Sequence, residues 1–206
     1  MPRAKSLSLS DIAVAALDVA DREGLSGLSM RSVADELGMS TMALYRYVTD
    51  RDHVERLIVD LVLSRVDTAV SPRLGWRARA STLIERARAA VIAHPAIVPL
   101  LLVHRSSSEH STRWGEAVLS VLADAGLTGR RRAFAFRALL AHLIGSLQLQ
   151  QLGPLDGAGT RALAALPDGM YPLLAETARH AQNIDPDVEF RQGLMLVMRG
   201  IDPTDR

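Results

Sequence analysis

Between Ser29 and Arg51 the chain reads SMRSVADELGMSTMALYRYVTDR, and its reactive groups there are hydroxyls, phenols and guanidinia. Thr41, Met42, Ala43, Tyr45, Arg46 and Tyr47 crowd into seven consecutive positions, interrupted only by Leu44. Methyl groups suit a thymine methyl, and hydroxyls and guanidinia suit base edges and phosphates, so the set points to DNA recognition. The spacing around it says how these groups are held. Met30, Val33, Ala34 and Leu37 recur at i, i+3, i+4 and i+7, which gives a first helix with one apolar stripe and turns Arg31, Asp35 and Glu36 outward. Gly38 suits a left-handed residue just past that helix, and Ser40 can cap a second one whose Leu44 and Val48 face inward. The pattern predicts a helix-turn-helix. In that motif the N-terminal residues of the second helix lie against base edges in the major groove, which is where Thr41, Met42 and Ala43 fall.

Gly24, Leu28, Ser29, Arg31, Val33, Ala34, Leu37, Gly38, Met39, Ser40, Leu44, Tyr45, Tyr47, Val48 and Arg51 share the spacing of a family motif, L-[ST]-x-R-x-[VL]-A-x-x-L-G-[VM]-S-x-x-x-L-Y-x-[HY]-[FV]-x-x-[KR], preceded by a helix and a glycine. Over roughly residues 10 to 60 the chain thus resembles the TetR family of bacterial transcriptional repressors. Near the C-terminus, VEFRQGLMLVMRGID resembles the ending of the branch that includes the tetracycline repressor. The resemblance implies that Arg31 bonds a guanine edge and that Tyr45, Tyr47 and Arg51 hold phosphates; Ser29 and Arg46, the latter at a position where the family varies, are further candidates for DNA contact. It also implies a homodimer on a palindromic double-stranded operator and a small-molecule effector bound among the middle helices.

Composition narrows the alternatives. A chain of 206 residues, 48% of them apolar, can bury roughly 70% of its unfolded surface and needs neither disulfide nor metal to fold. With no cysteine there is no thiolate ligand or cysteine nucleophile, and a reducing compartment is expected. No apolar run approaches the ~20 residues of a membrane span, and MPRAKSLSLS lacks the apolar core of a signal peptide, so the expected location is the cytoplasm, with no membrane partner. Lys5 is the only lysine among 24 basic residues, a bias that fits a GC-rich genome better than any function. Residues 1 to 51 carry six basic groups (Arg3, Lys5, Arg22, Arg31, Arg46, Arg51) against seven acids (Asp11, Asp18, Asp21, Glu23, Asp35, Glu36, Asp50). The head is therefore not basic as a whole, and its affinity for DNA must lean on dimerisation and on a shallow electrostatic contribution.

Helical periodicity covers the rest, and no period-two strand pattern occurs, so the expected fold is all-α. A first helix is predicted over about Ser10 to Glu23, capped by Ser8 or Ser10 and closed by Gly24. After the helix-turn-helix, Thr49 or Asp50 caps a helix expected to run to about Val70, where Ser71 and Pro72 break it. A stripe from Trp76 to Val91 ends at His94 and Pro95, and a short apolar segment, Ile97 to Val103, follows. The polar run His104 to Thr112 reads as a surface loop before a helix ended by Gly126. Gly129 to Gln151 is apolar nearly all round and must be covered by more than one neighbour. Residues 152 to 170 are rich in glycine and proline, with one short helix expected near Ala162 to Leu166; helices over Tyr171 to Gln182 and from Pro186 onward complete the chain.

Residues 1–52 are accordingly read as a three-helix DNA-binding head and 53–206 as a regulatory and dimerisation domain, the helix at 129–151 and the last helix supplying the two-fold contact. His104, Trp114, Phe134, His142 and Gln148 are the polar or aromatic groups set in otherwise apolar middle helices, hence the candidates for the effector site. The spacings of His94, His104 and His110 match no compact helical ligand pair, so no metal and no cofactor are expected, although a histidine near this loop coordinates drug-bound magnesium in the tetracycline repressor. Catalysis is not expected either: nucleotide-binding, nucleophile-elbow and zinc-protease motifs are all absent, and Ser106 to Ser108 have no placed base. The competing reading is a helical sensor or adaptor that has lost sequence-specific DNA binding, which the near-neutral head would suit.

Overall fold

The computed structural model describes residues 7–167 and 169–201. Those residues form eleven α-helices and a short 3-10 turn, with no strand among them. In chain order the helices are α1 (Leu9–Gly27), α2 (Met30–Glu36), α3 (Thr41–Leu44), α4 (Arg51–Ser64), α5 (Trp76–Ile92), α6 (Val98–Val103), α7 (Glu109–Asp124), α8 (Gly129–Leu152), α9 (Ala158–Ala164), α10 (Pro172–Ala181) and α11 (Pro186–Gly200). The turn Pro95–Ile97 leads into α6. The all-α fold and the N-terminal three-helix head are as the periodicity predicts.

Two compact units result, Met1–Leu74 with Glu85–Val118, and Gly75–Ile84 with Leu119–Arg206. In the first, α1 packs on α4 and α2, and α2 on α3. Ile12, Ala16, Val19, Val33, Ala34, Leu44, Val48, Val54 and Ile58 are all buried there. Each large apolar side chain so placed contributes about 1.5–3 kcal/mol. A hydrogen-bond bridge ties three segments of this unit. His94 Nδ1 lies 2.7 Å from Asp21 Oδ2, and Arg65 donates to His94 Nε2 at 3.1 Å. In the second unit α9 packs on α10 and α8 on α11.

Helix starts follow local chemistry. Ser8 caps α1 by accepting from the Asp11 N–H, and the Asp11 carboxylate accepts from the Ser8 N–H in return. Gly24, at φ 72°, breaks the helical path inside α1, so the regular helix stops where expected. Asp50 caps α4 by accepting from the His53 N–H at 2.7 Å, and that bond holds its carboxyl below the ordinary carboxylate value.

Three boundaries differ from expectation, two for reasons that involve side chains or distant segments and one for a local main-chain turn. Helix α4 ends at Ser64 rather than near Val70. The Asp67 carboxylate accepts from the Ala69 N–H at 2.9 Å, and the Arg86 guanidinium takes the carbonyls of Asp67 and Ala69. These bonds offer the backbone a better alternative to another helical turn. The run His104 to Thr112 is not simply a surface loop, for His104 and Ser108 are buried and α7 begins at Glu109. Asp60 of α4 draws it inward by accepting from the Ser108 hydroxyl at 2.8 Å and from the His110 N–H at 3.2 Å. Burial pushes the Asp60 carboxyl up, but the contacts with His110 and Ser108 outweigh it and leave the group below its ordinary value. Finally, α9 lies at Ala158–Ala164, several residues earlier than expected, because Gly157 folds back on the Pro154 carbonyl at 2.8 Å and starts the helix there.

Candidate nucleic-acid interface

The face expected to read DNA is made by two caps and one glycine. Ser29 caps α2 by accepting from the Ser32 N–H at 3.0 Å, while the Ser32 hydroxyl donates to the Gly27 carbonyl at 2.8 Å. Gly38 sits at φ 65°, and although a Cβ there would meet no neighbour within 4 Å, any other residue would strain that backbone. Ser40 then caps α3 by accepting from the Ala43 N–H at 3.2 Å. With Leu44 and Val48 buried, the chain turns everything else outward.

Met42 is 76% exposed, Tyr45, Arg46 and Tyr47 are exposed, and Thr41 and Ala43 are half-buried at the start of α3. Six of the nine residues predicted to touch DNA thus lie along one short stretch, four of them exposed. Arg31 projects from α2 with its side chain 87% exposed and only a loose tie to Asp35 at 3.8 Å. An exposed pair of this kind is worth little, so the guanidinium can exchange it for a base edge. Ser29 is committed to its cap. Arg51 is partly engaged: its Nε donates to Glu55 Oε1 at 2.7 Å and an Nη to the Leu25 carbonyl at 3.0 Å, two of five N–H donors.

Acidic groups near the head are also paired. Arg22 binds Glu36 at 2.7 Å and Glu23 at 3.2 Å, which takes two carboxylates of the near-neutral head into one cluster. The part of the head from Gly38 to Thr49 holds Arg46 and no acid.

The five effector candidates divide between the two units, His104 and Trp114 in the first and Phe134, His142 and Gln148 in the second. In the first unit His104 is buried against Glu55, its Nε2 3.1 Å from Glu55 Oε2, and Trp114 is buried on α7. In the second, His142 bonds the Phe190 carbonyl at 3.0 Å and lies over the Phe190 ring at 5.0 Å between centroids. A Cβ on Gly193 would come within 2.5 Å of His142 Cε1, so the ring keeps this place because the residue beside it is glycine. Phe134 lines an open groove of about 310 Å³ with Leu127, Arg131, Ala135, Ala138 and Ile201, and Gln148 is exposed. Asp52, Glu55 and His104 each offer one ligand atom within 4.8 Å of the others. Both carboxylates already have an arginine, Arg56 on Asp52 and Arg51 on Glu55, so a cation there would compete with existing charge.

Glu55, which bonds both Arg51 and His104, is not among the residues singled out from the sequence. Its signal was available in the i, i+4 spacing from Arg51, a favourable helical pair.

Residues 71–204 match the family model described as "Tetracyclin repressor-like, C-terminal domain". The chain belongs to the TetR family. Among curated TetR-like relatives, the "HTH-type transcriptional regulator" of Saccharopolyspora erythraea is 30% identical over 98% of this chain and 88% of its own. The "HTH-type transcriptional repressor DrrR1" of Streptomyces coeruleorubidus is 29% identical over 96% of this chain and 78% of its own. Among solved structures, the TetR family protein ActR of Streptomyces coelicolor in complex with actinorhodin superimposes with a TM-score of 0.81 and 25% identity, covering 96% of each chain. TetR-family membership makes this chain a DNA-binding transcriptional regulator that works as a homodimer and responds to a small molecule. These relatives are regulators rather than enzymes. Among the described residues no single helix is long and apolar enough to cross a membrane.

Proposed function

We propose that this chain is a cytoplasmic repressor without catalytic activity, which occupies a palindromic operator until a small, largely apolar effector binds. The observation that carries the reading is the exposed turn Thr41 to Tyr47, held outward by the buried Leu44 and Val48. Arg31 reads a guanine edge, Thr41, Met42 and Ala43 lie against bases, and Ser29, Tyr45, Arg46, Tyr47 and Arg51 face the backbone. The functional boundary is taken at 52/53, where the DNA-contacting residues end.

The two-fold contact is assigned to α8 and α11, on which Phe134, Leu149, Leu152, Met195 and Leu196 are exposed. So much apolar surface on two helices fits a self-complementary interface. ActR, with its bound actinorhodin, supports a small organic effector for this chain. His104, Trp114, Phe134, His142 and Gln148 remain the proposed contacts, and His104 and His142 would have to exchange Glu55 and the Phe190 carbonyl for the ligand. The effector weakens DNA binding only by its greater affinity for the released conformation.

Selection from a randomised DNA pool by the purified dimer tests this. An inverted repeat with half-sites one or more helical turns apart is expected. Arg31→Ala is expected to cost about 1–3 kcal/mol and to relax preference at one base pair. An unchanged base preference would remove Arg31 from its role, and no enrichment at all by a folded dimer would favour the sensor or adaptor.

A further inference from the structure

A line of charged and polar groups runs inward from the DNA-facing surface of the first unit. Arg51 begins it, its Nε bonded to Glu55 Oε1 at 2.7 Å. Glu55 lies one turn further along α4, its side chain only 14% exposed, and presents its second oxygen to His104 Nε2 at 3.1 Å. The His104 side chain is 3% exposed, and its Nδ1 lies 3.8 Å from Asp52 Oδ1. Asp52 in turn pairs with Arg56. The imidazole therefore comes from a segment 49 residues away from Glu55 and meets the helix at its first turns.

A carboxylate that is nearly buried and engaged by a donor on each oxygen has little freedom to reorient. Its outward oxygen aims the guanidinium. The Leu25 carbonyl fixes one Nη of Arg51, so two of the five guanidinium N–H donors are taken and three remain for another acceptor. We propose that Glu55 is a positioning residue for DNA binding: pinned by His104, it holds Arg51 in the orientation from which the guanidinium bonds a phosphate. The inference rests on the assignment of Arg51 to the DNA backbone made above. It adds that the histidine just after α6 determines how firmly the head grips.

The sign of one substitution separates this role from simple electrostatics. Removing a bystander carboxylate close to DNA strengthens binding, because a repulsion is lost. Removing a carboxylate that aims an arginine weakens it. Binding of the full-length dimer to a fluorescein-labelled duplex of mixed sequence, followed by anisotropy at several salt concentrations, reads the difference, with thermal unfolding as the folding control. Arg51→Ala is expected to weaken binding about 10-fold and to lower the salt slope by about one. Glu55→Gln is expected to weaken it about 3- to 10-fold on the wild-type background and to have no effect on the Arg51→Ala background. His104→Gln should give a smaller loss, about 2- to 4-fold, that also vanishes once Arg51 is gone, and it serves if Glu55→Gln does not fold. Tighter binding by Glu55→Gln, or equal losses on both backgrounds, would overturn the positioning role. If Arg51→Ala binds like the wild type, the phosphate assignment itself fails, and the proposal with it.

Discussion

The head and the second unit solve the same problem, a set of helices needing ends and covers, in opposite ways. In the head, α1, α2, α3 and α4 are each capped by a side chain, Ser8, Ser29, Ser40 and Asp50 in turn. In the second unit α8, α9 and α10 start at Thr128, Gly157 and Tyr171 with no side-chain cap bond, whereas α11 has one, from Asp185. The head leaves polar and aromatic groups outside, whereas α8 and α11 leave Phe134, Leu152 and Leu196 outside. The head's shape is thus specified by local chemistry before any partner arrives. The second unit leaves apolar surface that the proposed second copy would cover.

Perturbing each half tests the contrast. The largest effect is expected from Phe134→Asp combined with Leu196→Asp, two exposed positions whose change should leave the single chain folded. Sedimentation should then show monomers, and binding to a palindromic duplex should fall about 100-fold or more as the second half-site is lost. A dimer that survives would move the interface off α8 and α11. Next is Leu44→Ala in the head, at a fully buried position. Chemical denaturation should register a loss of about 2–5 kcal/mol for the cavity left behind. The smallest effect sharpens the comparison of caps. Ser40→Ala should cost about 1 kcal/mol of stability. Thr128→Ala, where no cap bond exists to lose, should stay within about 0.5 kcal/mol of the wild type. Equal costs at the two positions would dissolve the distinction.

The same contrast governs what could be read from sequence. The starts of α1, α3 and α4, the break at Gly24 and the turn at Gly38 were legible because their causes lie within three or four residues. So was the exposed row from Thr41 to Tyr47, since alternate burial of Leu44 and Val48 is a matter of helical period. The end of α4 was not, because Val66 and Val70 continue an apolar run while Arg86, far along the chain, secures the turn that stops it. Nor was the burial of His104 and Ser108 in a polar stretch, which depends on Glu55 and Asp60 some fifty residues earlier. His142 looked like a ligand group for a similar reason: its acceptor, the Phe190 carbonyl, is a backbone atom with no signature in the sequence. Polar groups on apolar helices are visible as anomalies. Their partners are supplied by tertiary structure.

Helix α3 is four residues long, barely one turn. A segment so short cannot sustain its own helix in water, where even favourable sequences need roughly 12–15 residues. The surface proposed to read the operator is consequently not portable. A synthetic peptide carrying Ser40 to Tyr47 would be a random coil with the right side chains in no fixed order, and grafting the tract onto an unrelated scaffold would transfer letters without their arrangement. Recognition here belongs to the folded head as a body, and it would be lost on partial unfolding before the longer helices had begun to melt.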